Sequence, residues 1–243
     1  MLNLILAATI IHSSKNPFVD VRARLRSAGF SQTEISGFFS DRRLKIYTQK
    51  AIATKKVNWK KYQTQILQKA SVESGVSFIQ DHQASFDAAS STYGVPGETI
   101  AAVMRIETDF GSNTGNYIVP DVFYSFLYHR TKVSWAEDNL VDYLIYAKRE
   151  KIDPFTLKGS YAGAIGYPQF LPSSILASGV DGDADGKVNL NDVADAVPSL
   201  AHFLMQHGYA KSPLKALTAY YGSSIGYPAA ALKYAAALDR AGG

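Results

Sequence analysis

Thr99-Ile-Ala-Ala-Val-Met-Arg-Ile-Glu-Thr-Asp-Phe-Gly111 decides how this chain is read, because it sets one carboxylate among apolar neighbours. Pro96 just inside the start and Gly111 just past the end predict a helix of about three turns. Ile100, Val103, Met104 and Glu107 follow the i, i+3, i+4, i+7 spacing, which puts Glu107 on the apolar stripe and leaves Asp109 off it. A desolvated carboxyl resists ionisation, so Glu107 is expected to titrate high and to hold a proton near neutral pH. A general acid needs that property. The plainer alternative is a glutamate at the edge of the stripe that reaches water.

Around this helix the chain has ample apolar material. Its 243 residues are 47% hydrophobic, enough for a substantial core in one elongated domain or two closely packed lobes. The net charge is +4 and the isoelectric point near 9.0, a small basic excess. Many of the cations crowd into Arg22 to Lys69, among them Arg42, Arg43, Lys55, Lys56, Lys60 and Lys61. They read as a solvated helical face. No basic and aromatic motif of a nucleic-acid binder accompanies them. The absence of cysteine excludes disulfides, thiol nucleophiles, thiolate metal sites and a lipid anchor on cysteine, so no lipoprotein is expected. Met1 to Ile11 is a short apolar run, either a secretory leader without its preceding cation or an ordinary first helix. It is too short to span a bilayer, and no stable membrane insertion is expected.

In chain order, Val19 to Tyr47 is patterned as helix, with Ser31 and Glu34 forming a capping box. Trp59 to Ser90 reads as two helices broken near Gly75. Gly111 to Pro120 is a loop, and Asp121 to Tyr128 an aromatic run suited to a core. Ser134 and Glu137 suggest a second capping box for a helix ending near Lys151. Val193 to His207, Pro213 to Tyr221 and Pro228 to Arg240 are further helices. No internal repeat or low-complexity linker interrupts them.

Two stretches outside the first helix carry chemistry. Lys158 to Ser174 combines glycines 159, 163 and 166 with the flat faces of Tyr161, Tyr167 and Phe170 and the polar ends of Ser160 and Gln169. A sugar ring needs such a surface, and a tight helix junction has the same composition. Tyr220, Tyr221 and Tyr227 bracket a tyrosine-rich loop. The second stretch is Asp181-Gly-Asp-Ala-Asp-Gly-Lys-Val-Asn-Leu-Asn-Asp192. Asp181, Asp183 and Asp185 stand at loop positions 1, 3 and 5, Gly186 at the sharp turn, and Lys187 where a backbone carbonyl is used. Asn189 holds position 9. Asp192 is a short arm where a bidentate Glu is usual, and Asp195 competes with it as last ligand. Three carboxylates in five residues repel one another unless a cation lies among them, so a structural Ca2+ is expected and no organic cofactor. A lone loop argues against a calcium sensor.

With Glu-Thr-Asp-Phe-Gly at 107–111, Gly-Ser-Tyr-Ala-Gly-Ala-Ile-Gly-Tyr-Pro-Gln-Phe-Leu-Pro-Ser-Ser at 159–174 and the acidic loop directly after, the chain resembles the lytic murein transglycosylase B family, glycoside hydrolase family 103. The likeness is faint around Gly29 and Trp59, clear from Tyr93-Gly-Val-Pro96, and continues to about Gly208. It implies a mainly α, lysozyme-like fold of the α+β class: a possible leader or first helix at 1–14, a helical N-terminal lobe at 15–92, and a catalytic core at 93–243. At most a small β element is expected, with an EF-hand-like calcium loop at 181–195. The implied activity is lytic cleavage of the β-1,4 bond between N-acetylmuramic acid and N-acetylglucosamine in peptidoglycan, leaving 1,6-anhydromuramic acid ends. Glu107 matches the single catalytic glutamate of the family. Ser160, Gln169 and Phe170 match cleft positions, with Tyr117 and Tyr161 as nearby candidates, and the family pattern favours Asp195 over Asp192. A periplasmic or secreted monomer acting on glycan strands follows, with no nucleic-acid partner. Three departures stand out: Tyr220-Tyr221 where the family usually has Tyr-Asn, the missing lipidation cysteine, and a shorter chain. A non-catalytic peptidoglycan-binding module and a hydrolytic muramidase are the alternatives. The muramidase would need a second acid, such as Asp109 or Asp121, in the cleft.

Overall fold

The computed structural model describes residues 16–53, 57–222 and 226–242. The candidate leader, Lys55, Lys56 and the centre of the tyrosine loop lie outside these residues. Helix α1 (Pro17–Ser27) starts on an Asn16 cap and a proline at its first position, and buries Val21 and Leu25. In α2 (Gln32–Ser40) the expected capping box forms: the Glu34 N–H donates to the Ser31 hydroxyl at 3.2 Å, and the Ser31 N–H donates to the Glu34 carboxylate at 2.7 Å. Residues 41–53 are not helical, unlike the continuous helical pattern expected through Tyr47.

Three helices, not two, fill the next stretch: α3 (Trp59–Ile66), α4 (Lys69–Asp81) and α5 (Gln83–Tyr93). The breaks fall at Leu67-Gln68 and at His82. Gly75 lies inside α4, where a Cβ would come within 2.7 Å of both the Tyr234 hydroxyl and Leu238, so its role is close approach and not helix termination. Then follow α6 (Gly97–Thr108), α7 (Val119–Tyr128), α8 (Val133–Arg149), α9 (Pro172–Ser178), α10 (Val193–Gln206), α11 (Pro213–Tyr221) and α12 (Gly226–Gly242). One antiparallel ribbon of two-residue strands, β1 (Tyr117–Ile118) and β2 (Lys158–Gly159), pairs Tyr117 with Gly159.

The second capping box does not form. Lys132 adopts a left-handed conformation and launches α8 at Val133, so Ser134 sits inside the helix and Glu137 is buried with one carboxylate oxygen unpaired. Helix α6 is the hub. Thr99 through Met104 are all buried, and α6 packs on α12, α4 and α5. Each fully buried Ile, Val or Met side chain contributes about 1.5–3 kcal/mol, which anchors this helix more firmly than its propensity could. The earlier helices pack chiefly on later ones: α1 on α8, α3 and α4 on α12, and α5 on α10. Among the described residues no helix is long and apolar enough to cross a membrane.

Candidate active site

The buried stripe that holds α6 delivers Glu107 in its last turn, at the floor of a cleft of about 480 Å³. Directly after it, Asp109, Phe110 and Gly111 all take left-handed conformations, with φ of 53°, 54° and 83°. That tight reversal is locked by Thr108, whose hydroxyl accepts the Gly111 N–H and donates toward the Tyr167 carbonyl, both at 3.0 Å. A Cβ at Gly111 would stand 2.4 Å from the Tyr167 ring, so only glycine fits the close approach. Asp109 is turned to solvent and pairs with Arg105 at 3.1 Å. Asp121 is 1% exposed and takes the Lys45 N–H at 3.1 Å, and neither aspartate lines the cleft. Among the described residues Glu107 is the one acidic side chain that does.

Burial pushes the Glu107 carboxyl up to about 7. The nearby Tyr227 hydroxyl opposes that rise, although it makes no hydrogen bond of good geometry. A carboxyl in this state is partly protonated at neutral pH and can both give and take a proton.

The cleft walls come from four segments. Trp59 and Tyr62, three residues apart on α3, face the cleft together, and the Tyr62 hydroxyl donates to the Ile106 carbonyl at 3.1 Å. Tyr117 on β1 donates to the Ala51 carbonyl at 3.1 Å. From the segment after β2, Ser160, Tyr161 and Gln169 face inward. The Ser160 hydroxyl accepts the Ala164 N–H at 3.1 Å, and the Gln169 amide donates to Thr114 and Gly166 carbonyls at 3.1 and 3.0 Å, so both are held rigid. Tyr221, from the end of α11, is 41% exposed and completes the rim.

Four of the sequence-derived candidates stand behind this surface. Phe170 is 2% exposed and packs on Phe203 and Tyr220, so it supports the wall and offers no open face. Tyr167 lies against Gly111 and Phe78. The Tyr220 hydroxyl is spent on the Pro168 carbonyl. Tyr227 is fully buried, stacked on Tyr221 with ring centroids 4.3 Å apart. Aromatic composition does not separate a ring that faces a ligand from one that holds the facing ring in place. Conversely Trp59, Tyr62, Asn113 and Asn116 line the cleft and escaped the sequence reading. The Trp59/Tyr62 pair, three residues apart on a short helix whose one other apolar residue is the buried Ile66, was the available signal.

In the acidic loop, carboxylate oxygens of Asp181, Asp183 and Asp195 converge within 4.8 Å of one another. Asp195 is buried at the start of α10 and accepts the N–H groups of Gly182 and Asn189 at 2.8 and 2.6 Å. Asp192 instead caps α10 through the Ala194 N–H at 2.9 Å. Asp185 stands outside the convergent group, its carboxylate taking the Lys187 N–H at 2.8 Å. The loop touches the cleft segment directly: the Tyr167 N–H donates to the Leu190 carbonyl at 2.9 Å, and a Cβ on Gly166 would meet that carbonyl at 2.2 Å.

Known proteins are similar to this chain in sequence and in fold. The membrane-bound lytic murein transglycosylase B of Escherichia coli strain K12 is 36% identical over 172 residues, 70% of this chain and 47% of that protein. The chain thus spans about half the length of this curated relative. The catenated lytic transglycosylase SltB1 of Pseudomonas aeruginosa superimposes with a TM-score of 0.83 at 25% identity, covering 95% of this chain and 99% of the other. The Escherichia coli lytic transglycosylase Slt35, solved in complex with calcium, does so with a TM-score of 0.81 at 21% identity, covering 95% of each chain. At that identity the likeness speaks for the fold alone. The profile of the transglycosylase SLT domain matches residues 13–226, a span that takes in the Glu107 helix, the cleft segment and the acidic loop, and the chain belongs to the SLT-domain transglycosylase family.

Proposed function

We propose that this protein is a peptidoglycan lytic transglycosylase that uses Glu107 as its single acid and base. The observation that carries the reading is the solitary, desolvated Glu107 carboxyl in an aromatic cleft, with no second acid beside it among the described residues. A glycosidase with two carboxylates divides acid and base between them. With one, the same group must do both. Protonated Glu107 gives its proton to the glycosidic oxygen as the bond from C1 of N-acetylmuramic acid to that oxygen breaks, releasing the N-acetylglucosamine side. The 6-hydroxyl of the same muramic acid then forms a new bond to C1 while its proton passes to the Glu107 carboxylate. A 1,6-anhydro ring results, no water is consumed, and the enzyme regains its starting protonation.

Trp59, Tyr62, Tyr117, Tyr161 and Tyr221 offer faces and hydroxyls for the sugar rings, and Ser160 and Gln169 are the fixed polar groups among them. Glycan strands of peptidoglycan are the substrate, murein being what the similar Escherichia coli transglycosylase is named for, and the cell envelope is the place of action this substrate implies. Oxygen ligands from Asp181, Asp183 and Asp195 suit a hard cation, and Ca2+ is the ion we assign. Bound there, Ca2+ would offset carboxylate repulsion, and the loop is tied to the cleft segment by the Tyr167 N–H donating to the Leu190 carbonyl.

Mass spectrometry of purified peptidoglycan digested by the protein tests the reading. Products ending in 1,6-anhydromuramic acid, absent with Glu107→Gln, are expected. Reducing ends that have gained water would replace it with a hydrolytic muramidase, and glycan binding without products would replace it with a binding module.

A further inference from the structure

Three consecutive residues fasten the acidic loop to the rest of the molecule. Residues 182–187 are exposed, and the chain turns inward again at Val188 and Leu190, which are buried on either side of the exposed Asn189. Val188 is held at both of its backbone groups. Its N–H donates to a Glu150 carboxylate oxygen at 3.1 Å, and its carbonyl accepts the Tyr146 hydroxyl at 2.7 Å. The next N–H, that of Asn189, donates to Asp195 at 2.6 Å, and the Leu190 carbonyl accepts the Tyr167 N–H at 2.9 Å.

Tyr146 lies in the last turn of α8 and Glu150 just past its end, four residues apart and so on one face. Between them they present one donor and one acceptor to a single residue, as the residue opposite does in an antiparallel ladder. The sequence holds one loop of this kind, with no second loop for it to lean on. Two side chains of α8 take that place. Both are buried, and a buried carboxylate is costly unless it is paired. Glu150 meets that condition with Arg149 at 2.7 Å on one oxygen and the Val188 N–H on the other.

We infer that Tyr146 and Glu150 are positioning residues for the cation site: by fixing Val188 they hold the adjoining Asn189 N–H on Asp195, and so keep that carboxylate beside Asp181 and Asp183 before the ion arrives. Neither belongs to the convergent acids themselves. The inference rests on the calcium assignment made above and not on the glycosidic reaction. A loop that is not fixed in advance has to be ordered as the ion binds, and that ordering subtracts from affinity. Groups that hold metal ligands in place are worth about 10- to 100-fold in affinity, and the lower figure is expected for one hydrogen bond at a residue beside the ligands.

Calorimetric titration of the calcium-free protein with CaCl2 is the test. Tyr146→Phe and, separately, Glu150→Leu should each raise the Kd for Ca2+ about tenfold. Glu150→Gln keeps an oxygen for the Val188 N–H and should retain most of the affinity. Tyr143→Phe is the matched control: Tyr143 lies one turn earlier on α8, is also fully buried, and donates its hydroxyl to a carbonyl at 2.6 Å, but that carbonyl belongs to Pro154 and not to the loop. In chelator it should lower the Tm much as Tyr146→Phe does, yet leave the Kd where it was. A Kd unchanged in Tyr146→Phe, or raised as far in Tyr143→Phe, would overturn the inference and reduce Tyr146 to a core contact. If Glu150→Leu does not fold, the two tyrosine variants decide between these outcomes. Wild-type protein that takes up no calcium overturns the assignment of the ion and the inference with it. Tight calcium binding that depends on Tyr146, in a protein that releases no anhydro products, sinks the transglycosylase and leaves the brace standing.

Discussion

Glu107 and the acidic loop at 181–195 use the same functional group in opposite surroundings. Glu107 stands alone in the last turn of a buried helix, where loss of water pushes its carboxyl up to about 7. In the loop, carboxylates of Asp181, Asp183 and Asp195 lie within 4.8 Å of one another, and backbone N–H groups of Gly182, Asp185, Gly186 and Asn189 point at them. A carboxyl isolated from water and from other charges favours the neutral form, and so can serve as an acid. Carboxylates gathered on a loop repel one another, and burial together with Asp183 and Asp181 pushes Asp195 up as well, so what suits this group to a cation is the convergence of its oxygens and not an ease of ionisation. Residue type is shared. Environment assigns the work.

The comparison breaks first at catalysis. Glu107→Gln keeps the shape and removes the proton, and should lower turnover of purified peptidoglycan by about 10²–10⁴-fold, the span of a general acid's contribution. In the native enzyme the acid must begin protonated, so kcat/KM should fall as pH rises through about 7. A profile flat from pH 6 to 8 would show that Glu107 is not the acid.

Next in size is calcium. At free Ca2+ 100- to 1,000-fold above its Kd, a bound ion adds about 3–4 kcal/mol to folding. Chelation should therefore lower the Tm by several degrees, and Asp195→Asn should abolish the difference between calcium and chelator. The pH midpoint of activity should stay where it was, since the ion acts on the loop and not on Glu107.

A smaller effect has the sign that separates the two regions. The folded pKa of Glu107 is above its ordinary value of 4.5, so between about 4.5 and 7 the folded state binds more protons than the unfolded one. Stability from this group is then present in full below 4.5 and lost as pH rises toward 7 and beyond. Glu107→Gln should accordingly stabilise the fold at pH 8, by about 2 kcal/mol once partial exposure is allowed for, and have little effect at pH 4. Denaturant unfolding at both pH values reads it. The mildest change is at Asp192: because it caps α10, Asp192→Ala should cost about 1 kcal/mol and leave calcium affinity nearly intact, in contrast to Asp195→Asn.

Much of this was legible in the chain. The i, i+3, i+4, i+7 pattern ending at Glu107 and the Ser31/Glu34 capping box are local, and the structure realises both. The segment after β2 was legible only as a composition. Ser160, Tyr161 and Gln169 turn inward while Tyr167 and Phe170 turn away, because Gly163 lets the chain press on Phe123 and Gly166 brings it onto Leu190, and these contacts are set by distant elements. Gly75 misled for a related reason: its neighbours Tyr234 and Leu238 lie more than 150 residues further along, out of reach of any local pattern.

The sequence by itself determined that one carboxylate would end an apolar stripe, that acids would cluster on a single loop, and that the cations would crowd into one stretch, since spacing and composition are properties of the chain. Only the tertiary structure decided that Trp59 and Tyr62 line the same cleft as Glu107, and that Asp195 converges with Asp181 and Asp183 while Asp192 caps a helix. Those outcomes depend on which helix packs against which, and close packing in the core fixes that only once all the elements are assembled.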